Sequence, residues 1–205
     1  MTVQLRFTQS IRACCKAASR LAAVSPDRTS PSPAPDGARI CALLEKCRRD
    51  FLLHIALYEP EIPPNTGNII RIAANTGTVL HLIAPLGFEM SDARLKRAGL
   101  DYHEYADLAV HESLEALLAS VRPGRVLPVS TRGATRYDTF RFAANDLLLF
   151  GPESRGLPER VLNGFPADHR LRIPMREGSR SLNLANAVAV LVYEALRQTG
   201  FTGLR

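Results

Sequence analysis

The sequence predicts an α/β domain with a mainly parallel sheet and helices on both faces. Two observations predict it. Short apolar runs of strand length alternate with segments of helical periodicity from Phe51 onward. Several of those runs stop abruptly at Gly, Pro or Thr and hand over to a polar loop, as strands of a parallel sheet do at their carboxyl ends. All four cysteines (Cys14, Cys15, Cys41, Cys47) precede residue 50, so neither a disulfide nor a thiolate-bound metal holds the body together. With 46% hydrophobic residues in 205, the chain can bury one sizeable core.

Residues 1–50 stand apart as a basic, Pro/Ser-containing extension, expected to be disordered. They hold 9 Lys/Arg against 4 Asp/Glu, which leaves 17 against 16 in residues 51–205 and reduces the net charge of +6 to a nearly neutral body. An anionic partner must therefore meet a local arginine cluster. Residues 1–24 carry basic groups and no acid, like an organellar transit peptide; a start assigned too far upstream is the other reading. No apolar run approaches the roughly 20 residues of a membrane span.

The elements follow in order from there. Phe51–Tyr58 is the first strand, and the turn EPEIPPNTGN leads to a helix capped by Thr66 and ending at Thr76, with Arg71 about one turn inside. Val79–Ala84 is the second strand. A basic segment with Arg94, Lys96 and Arg97 runs into GLDYHEY, and Glu112–Val121 reads as an amphipathic helix. Arg125–Ser130 is the third strand, with Thr131-Arg132-Gly133 at its end. Leu147–Phe150 is the fourth, stopping at Gly151-Pro152 and delivering Glu153, Ser154, Arg155 and Gly156 as a polar loop. Leu171–Pro174 is the fifth, and Met175–Arg180 leads to a helix capped by Ser181. That helix carries Leu184, Val188, Leu191, Val192 and Ala195 on one stripe. The loops after Val129, Phe150 and Pro174 are expected to share one site.

Several chemistries are excluded cheaply. The chain has no G-x-G-x-x-G after its first strand, no P-loop, no G-x-S-x-G elbow and no H-E-x-x-H. His54, His81, His103, His111 and His169 lack ligand spacing and read as structural or solvated, and no metal is expected.

NTGNIIR at 65–71, FGPESRGLP at 150–158, and IPM followed by SRSLNLANAVAVLVYEALR at 173–197 resemble the three signature motifs of the SpoU branch of the SPOUT RNA methyltransferases. LYEPEIPPNTGNIIR and RAGLDYHEY resemble segments of its members that methylate the tRNA wobble nucleotide. The likeness covers residues 52 to 203. It implies a C-terminal trefoil knot, a homodimer, and S-adenosylmethionine as cofactor, bound by Val129, Gly151, Ile173, Ser181 and Leu182. It further implies methyl transfer to a ribose 2′-hydroxyl of the tRNA anticodon loop, in the cytoplasm, or in an organelle if residues 1–24 act as a transit peptide.

The resemblance places a catalytic arginine at Arg71. A guanidinium stays protonated near neutrality, so an electrostatic clamp on the ribose or its phosphate suits it better than a free base. Glu153 and Asn183 follow, for proton acceptance or substrate positioning. Arg94, Arg97, Tyr102 and His103 are candidate RNA contacts by phosphate pairing and stacking, and Arg132, Arg155 and Arg180 stand on the expected pocket loops. Ribosomal RNA as the substrate, or a catalytically silent RNA-binding scaffold, are the alternatives.

Overall fold

The computed structural model describes residues 53–89, 108–201 and 204. The expectations for residues 1–50 and for Arg94, Lys96, Arg97, Tyr102 and His103 lie outside them.

Seven strands form one sheet in the order β3-β2-β1-β6-β4-β7-β5, and every pairing among them is parallel. The strands are β1 (His54–Tyr58), β2 (Val79–Ile83), β3 (Leu108–His111), β4 (Arg125–Val129), β5 (Thr135–Arg136), β6 (Asp146–Phe150) and β7 (Leu171–Arg172). The helices are α1 (Pro63–Thr76), α2 (Leu114–Val121), α3 (Glu159–Asn163) and α4 (Leu184–Gln198). Among the described residues no helix is long and apolar enough to cross a membrane.

β1 and β6 are buried along their whole length because the sheet is covered on both faces, which is why they read as continuous apolar runs rather than alternating ones. The period of two still sorts their side chains. Ile55, Leu57, Leu148 and Phe150 join α1 and α4 in one core. Ala56, Tyr58, Leu147 and Leu149 join α2 and α3 in the other. The α4 stripe is buried at Val188, Leu191, Val192 and Ala195 as its spacing requires, with Ala185 completing it and Leu184 only partly buried.

Several boundaries differ from expectation for physical reasons. α1 starts at Pro63, not after Thr66. The two prolines occupy its first turn, where a missing N–H costs nothing and the fixed φ already suits a helix. Thr66 is inside the helix, fully buried, with a hydroxyl that has no hydrogen-bond partner. α2 begins at Leu114 because the Ser113 hydroxyl accepts from Ala116 N at 3.1 Å. α4 is capped by Asn183, whose Oδ1 accepts from Ala185 N and Asn186 N, and not by Ser181. β7 ends at Arg172, and β3, β5 and α3 are additions to the expected set.

Chain order puts the reversal of the sheet beside β1. The chain runs outward through β2 to β3, then β4 and β6 lie on β1's other side. A crevice forms outside the carboxyl ends of strands at such a switch point. The loops after β1, β4, β6 and β7 meet there.

Candidate active site

The crevice is a cleft of about 470 Å³. Its walls come from Ile62 and Asn65 after β1, Val129 to Arg132 after β4, Phe150 to Leu157 after β6, and Ile173 and Met175 after β7. Arg180, Ser181, Leu182 and Asn183 close it from the start of α4. Val129, Gly151, Ile173, Ser181 and Leu182 are thus brought together as expected, and Glu153 and Asn183 join them. So do Arg132, Arg155 and Arg180.

Gly151 explains how the floor is made. A Cβ there would sit 2.2 Å from Leu157 N and 2.4 Å from Gly156 C. The end of β6 and the returning loop therefore touch backbone to backbone, and only glycine permits it. Gly133 plays the same part after β4, where a Cβ would come within 2.4 Å of the Leu171 carbonyl. The resulting lining combines backbone groups with apolar side chains at Leu157, Ile173, Met175 and Leu182, a composition and size suited to an organic cofactor. Among the described residues, no cluster of His, Cys, Asp or Glu is arranged to hold a metal ion.

Glu153 is the hub of the polar side. Its Oε2 accepts from Glu61 N at 2.8 Å, and its Oε1 accepts from Ile62 N at 3.3 Å and Asn65 Nδ2 at 3.1 Å. Asn65 Oδ1 in turn accepts from Asn183 Nδ2 at 2.9 Å. The direction of this chain is unique: α4 amides donate to Asn183, Asn183 to Asn65, Asn65 to Glu153. It also supplies what α1 lacks locally. The residue preceding α1, Ile62, has no side-chain acceptor, and no acid lies in the helix's own first turn, so the Glu153 carboxylate caps it from across the cleft.

A reciprocal pair lies beside this hub. Glu61 accepts from Ser154 N at 3.0 Å and Ser154 Oγ at 2.9 Å. Those two hydrogen bonds, the hydroxyl's first, hold the Glu61 carboxyl below its ordinary value, with Arg155 adding a favourable charge. Arg155 itself pairs with Glu59 at 2.5 Å, and Arg132 with Glu159 at 3.2 Å.

Arg71 does not line this cleft. It stands exposed on α1, six residues past Asn65, about 9 Å further along the axis at 1.5 Å per residue. Glu59, Glu61, Asn65 and Ser154 were missed from sequence. All four lie within the quoted motif segments, but nothing local distinguishes them from their neighbours there.

Three histidines also meet, away from the cleft. His54 Nδ1 lies 3.0 Å from His81 Nε2, and His81 Nδ1 lies 3.0 Å from His111 Nε2. They sit diagonally on neighbouring strands on the α2 face. Asn145 Nδ2 donates to Arg122 O at 3.3 Å. A neutral His81 donates through one ring nitrogen and accepts through the other, so the two contacts run in one direction along the row. Burial, reinforced by the two neighbouring rings, pushes the His81 pKa down to about 3. His54 and His111 are lowered by burial as well.

A sheet with its reversal beside β1 and a glycine-floored cleft between strand-end loops agrees with the frame that the resemblance to SpoU methyltransferases implies. Residues 52–193 match the SpoU rRNA Methylase family, and the chain belongs to it. Among its relatives, the tRNA (cytidine(34)-2′-O)-methyltransferase of Aeromonas hydrophila is 60% identical over 152 residues, 74% of this chain and 97% of that one. The enzyme of the same name from Escherichia coli strain K12 is 52% identical over 74% of this chain and 97% of its own. A structure solved to give insights into the 2-OH methylation of C/U34 on tRNA is 53% identical with a TM-score of 0.68, covering 74% of this chain and 98% of that one. The SpoU methyltransferase AviRb from Streptomyces viridochromogenes, in complex with the cofactor AdoMet, is 27% identical with a TM-score of 0.63 over 73% of this chain and 60% of that one.

Proposed function

We propose that this chain transfers a methyl group from S-adenosylmethionine to the ribose 2′-hydroxyl of nucleotide 34, cytidine or uridine, in the tRNA anticodon loop. The observation that carries it is the likeness, 52–60% identical across nearly the whole length of tRNA (cytidine(34)-2′-O)-methyltransferases, of a chain whose motif residues converge on one cleft.

The cleft fits the cofactor. Val129, Gly151 and Ile173 offer strand-end backbone groups, while Leu182 and the apolar walls suit a flat ring and Ser181 adds a hydroxyl at the rim. When bound, S-adenosylmethionine supplies an electrophilic sulfonium methyl; the C–S bond breaks, a C–O bond forms, and the hydroxyl proton leaves. The protein's task is alignment and help with that proton. Glu153 serves as a positioning group rather than a base, because both of its oxygens are occupied by donors. Asn183 fixes the start of α4 and, with Asn65, the polar floor.

Arg71 clamps the ribose or its phosphate. Its place outside its own chain's cleft supports a homodimer in which α1 of one subunit serves the cleft of the other. Arg132, Arg155 and Arg180 meet RNA phosphates. The partners of Arg132 and Arg155 are exposed ion pairs worth roughly 0–1 kcal/mol each, which phosphates can replace. The trefoil knot goes with this reading, because membership of the SpoU family implies it. The compartment is the cytoplasm.

The test is methyl transfer from labelled S-adenosylmethionine by the full chain into total tRNA and, separately, ribosomal RNA. Label at ribose 34 of a few tRNAs is expected; label in ribosomal RNA alone moves the substrate there, and none in either pool makes the protein a silent scaffold. Arg71→Ala is expected to keep cofactor affinity within about threefold while removing about 99% or more of transfer, the scale of a lost transition-state contact. Loss of the fold instead returns Arg71 to a structural role.

A further inference from the structure

The Glu61–Ser154 pair has no place in the site just described, yet it is built with care. Two acidic side chains, Glu61 and Glu153, stand on facing loops, and each accepts from the other's segment: Glu61 from Ser154 N and Oγ, Glu153 from Glu61 N and Ile62 N. Like charges so placed repel. The arrangement holds because four donors and the N-terminal dipole of α1 lie between them. Glu61 is also gripped from its other side. A Cβ on Gly87 would lie 2.8 Å from Glu61 Cα, and Gly87 N donates to Pro60 O at 2.9 Å.

Glu153 has no other side-chain tether among the hydrogen bonds of its own loop. The rotation of its carboxylate is set by Glu61 N, Ile62 N and Asn65 Nδ2 across the cleft, and so by where residues 61 and 62 stand relative to the Glu153–Ser154 loop. We propose that Glu61 is a positioning residue for methyl transfer: by holding Ser154 it keeps Glu153 aimed at Asn65, and so fixes the donor and acceptor ends of both cleft asparagines. The inference rests on the reading of the cleft as the transfer site.

Without the Glu61 carboxylate, the loop carrying Ser154 loses both its donors' acceptor while the Glu61 backbone N–H remains. The loop then shifts, Glu153 turns, and Asn65 and Asn183 are free to rotate their amides. A displacement of order 1 Å can cost about 100-fold in rate without unfolding anything. A glutamine at 61 keeps both contacts, since its oxygen accepts from Ser154 N and its amide donates to Ser154 Oγ. It removes only the charge.

The experiment uses full-length protein and three variants, Glu61→Ala, Ser154→Ala and Glu61→Gln, in single-turnover methyl transfer at saturating S-adenosylmethionine and tRNA. Beside it, the side-chain amide signals of Asn65 and Asn183 are recorded by NMR without ligand, assigned from Asn65→Asp and Asn183→Asp proteins. Glu61→Ala is expected to lose about tenfold or more in rate, Ser154→Ala less, and Glu61→Gln to recover most of the loss. Only Glu61→Ala is expected to collapse the asparagine signals toward those of free amides. Wild-type rate and unchanged amide signals in Glu61→Ala overturn the proposal, and so does a Glu61→Gln protein as damaged as Glu61→Ala. Absence of transfer by the unaltered protein overturns the reading of the cleft, and the amide signals then decide Glu61 on their own.

Discussion

The hydrogen-bond chain at the cleft and the one buried beneath α2 are built alike up to their last link. In each, groups that both donate and accept are strung in a single direction, Asn183 to Asn65 at the cleft and along His54, His81 and His111 under the helix. The cleft chain ends on the carboxylate of Glu153. The buried chain has a neutral imidazole, His54 or His111, at each end. A chain that ends on a charge sits at the rim, where water and helix amides stabilise it, and its direction can be imposed on a ligand. A chain whose members are all neutral can be buried, and its direction serves only to satisfy its own members. One organises a site and the other joins three strands.

The comparison is broken most strongly at its charged end. Glu153→Ala leaves Glu61 N, Ile62 N and the Asn65 amide without their acceptor. Methyl transfer is expected to fall by about 100-fold or more. The melting temperature moves by only a few degrees, because the orphaned groups can reach water. Single-turnover rates and a thermal melt on the same sample check both halves.

The buried end should respond in the opposite way. His81→Ala opens a void and leaves the facing nitrogens of His54 and His111 unpaired, so stability is expected to drop by about 2–4 kcal/mol in a urea titration. Cofactor affinity per folded molecule stays within about twofold. If His81→Ala lost cofactor binding while keeping its stability, the two chains would not be separate.

Acidity sharpens the contrast with a smaller effect. All three histidines have folded-state pKa values below the ordinary 6.5, His81 at about 3, so the unfolded chain takes up protons that the folded one refuses. The His81 contribution is whole above about pH 6.5 and is lost as pH falls from there toward about 3, at up to about 1.4 kcal/mol per pH unit, and His54 and His111 add losses in the same direction. Glu61 lies below its ordinary 4.5, so its contribution is whole above that value and fades only below it. Urea midpoints are expected to fall between pH 7.5 and 5.5 while cofactor affinity of the folded protein stays level. A level midpoint across that range would show that the row carries protons in the folded state.

The same contrast explains what could be read from sequence. β1, β2, β4, β6 and α4 were legible because burial on both faces, or on one stripe, writes itself as a run or a period. The two residues each of β5 and β7, and the four of β3, are too short to leave a pattern. The strand-end loops announced the cleft, since Gly151-Pro152 and Thr131-Arg132-Gly133 stop apolar runs. The polar chains did not announce themselves. His54 and His81 are 27 residues apart, Asn65 and Glu153 are 88, and only the parallel register and the switch point bring them together. Ser181 and Asn183 are both of residue types that cap helices, and nothing local ranks them. Strand order does not by itself reveal a knot, which entered through the resemblance alone.

The borrowed cap of α1 has a consequence for synthesis. A helix that begins with two prolines and no acid of its own leaves the ribosome without the anion that finishes its first turn. Glu153, which completes it, is translated 88 residues after Asn65. At about 5–20 residues per second, that is a delay of about 4–18 seconds. For that interval the nascent chain carries an open anion seat beside Asn65, and its closure records that the β6 loop has arrived.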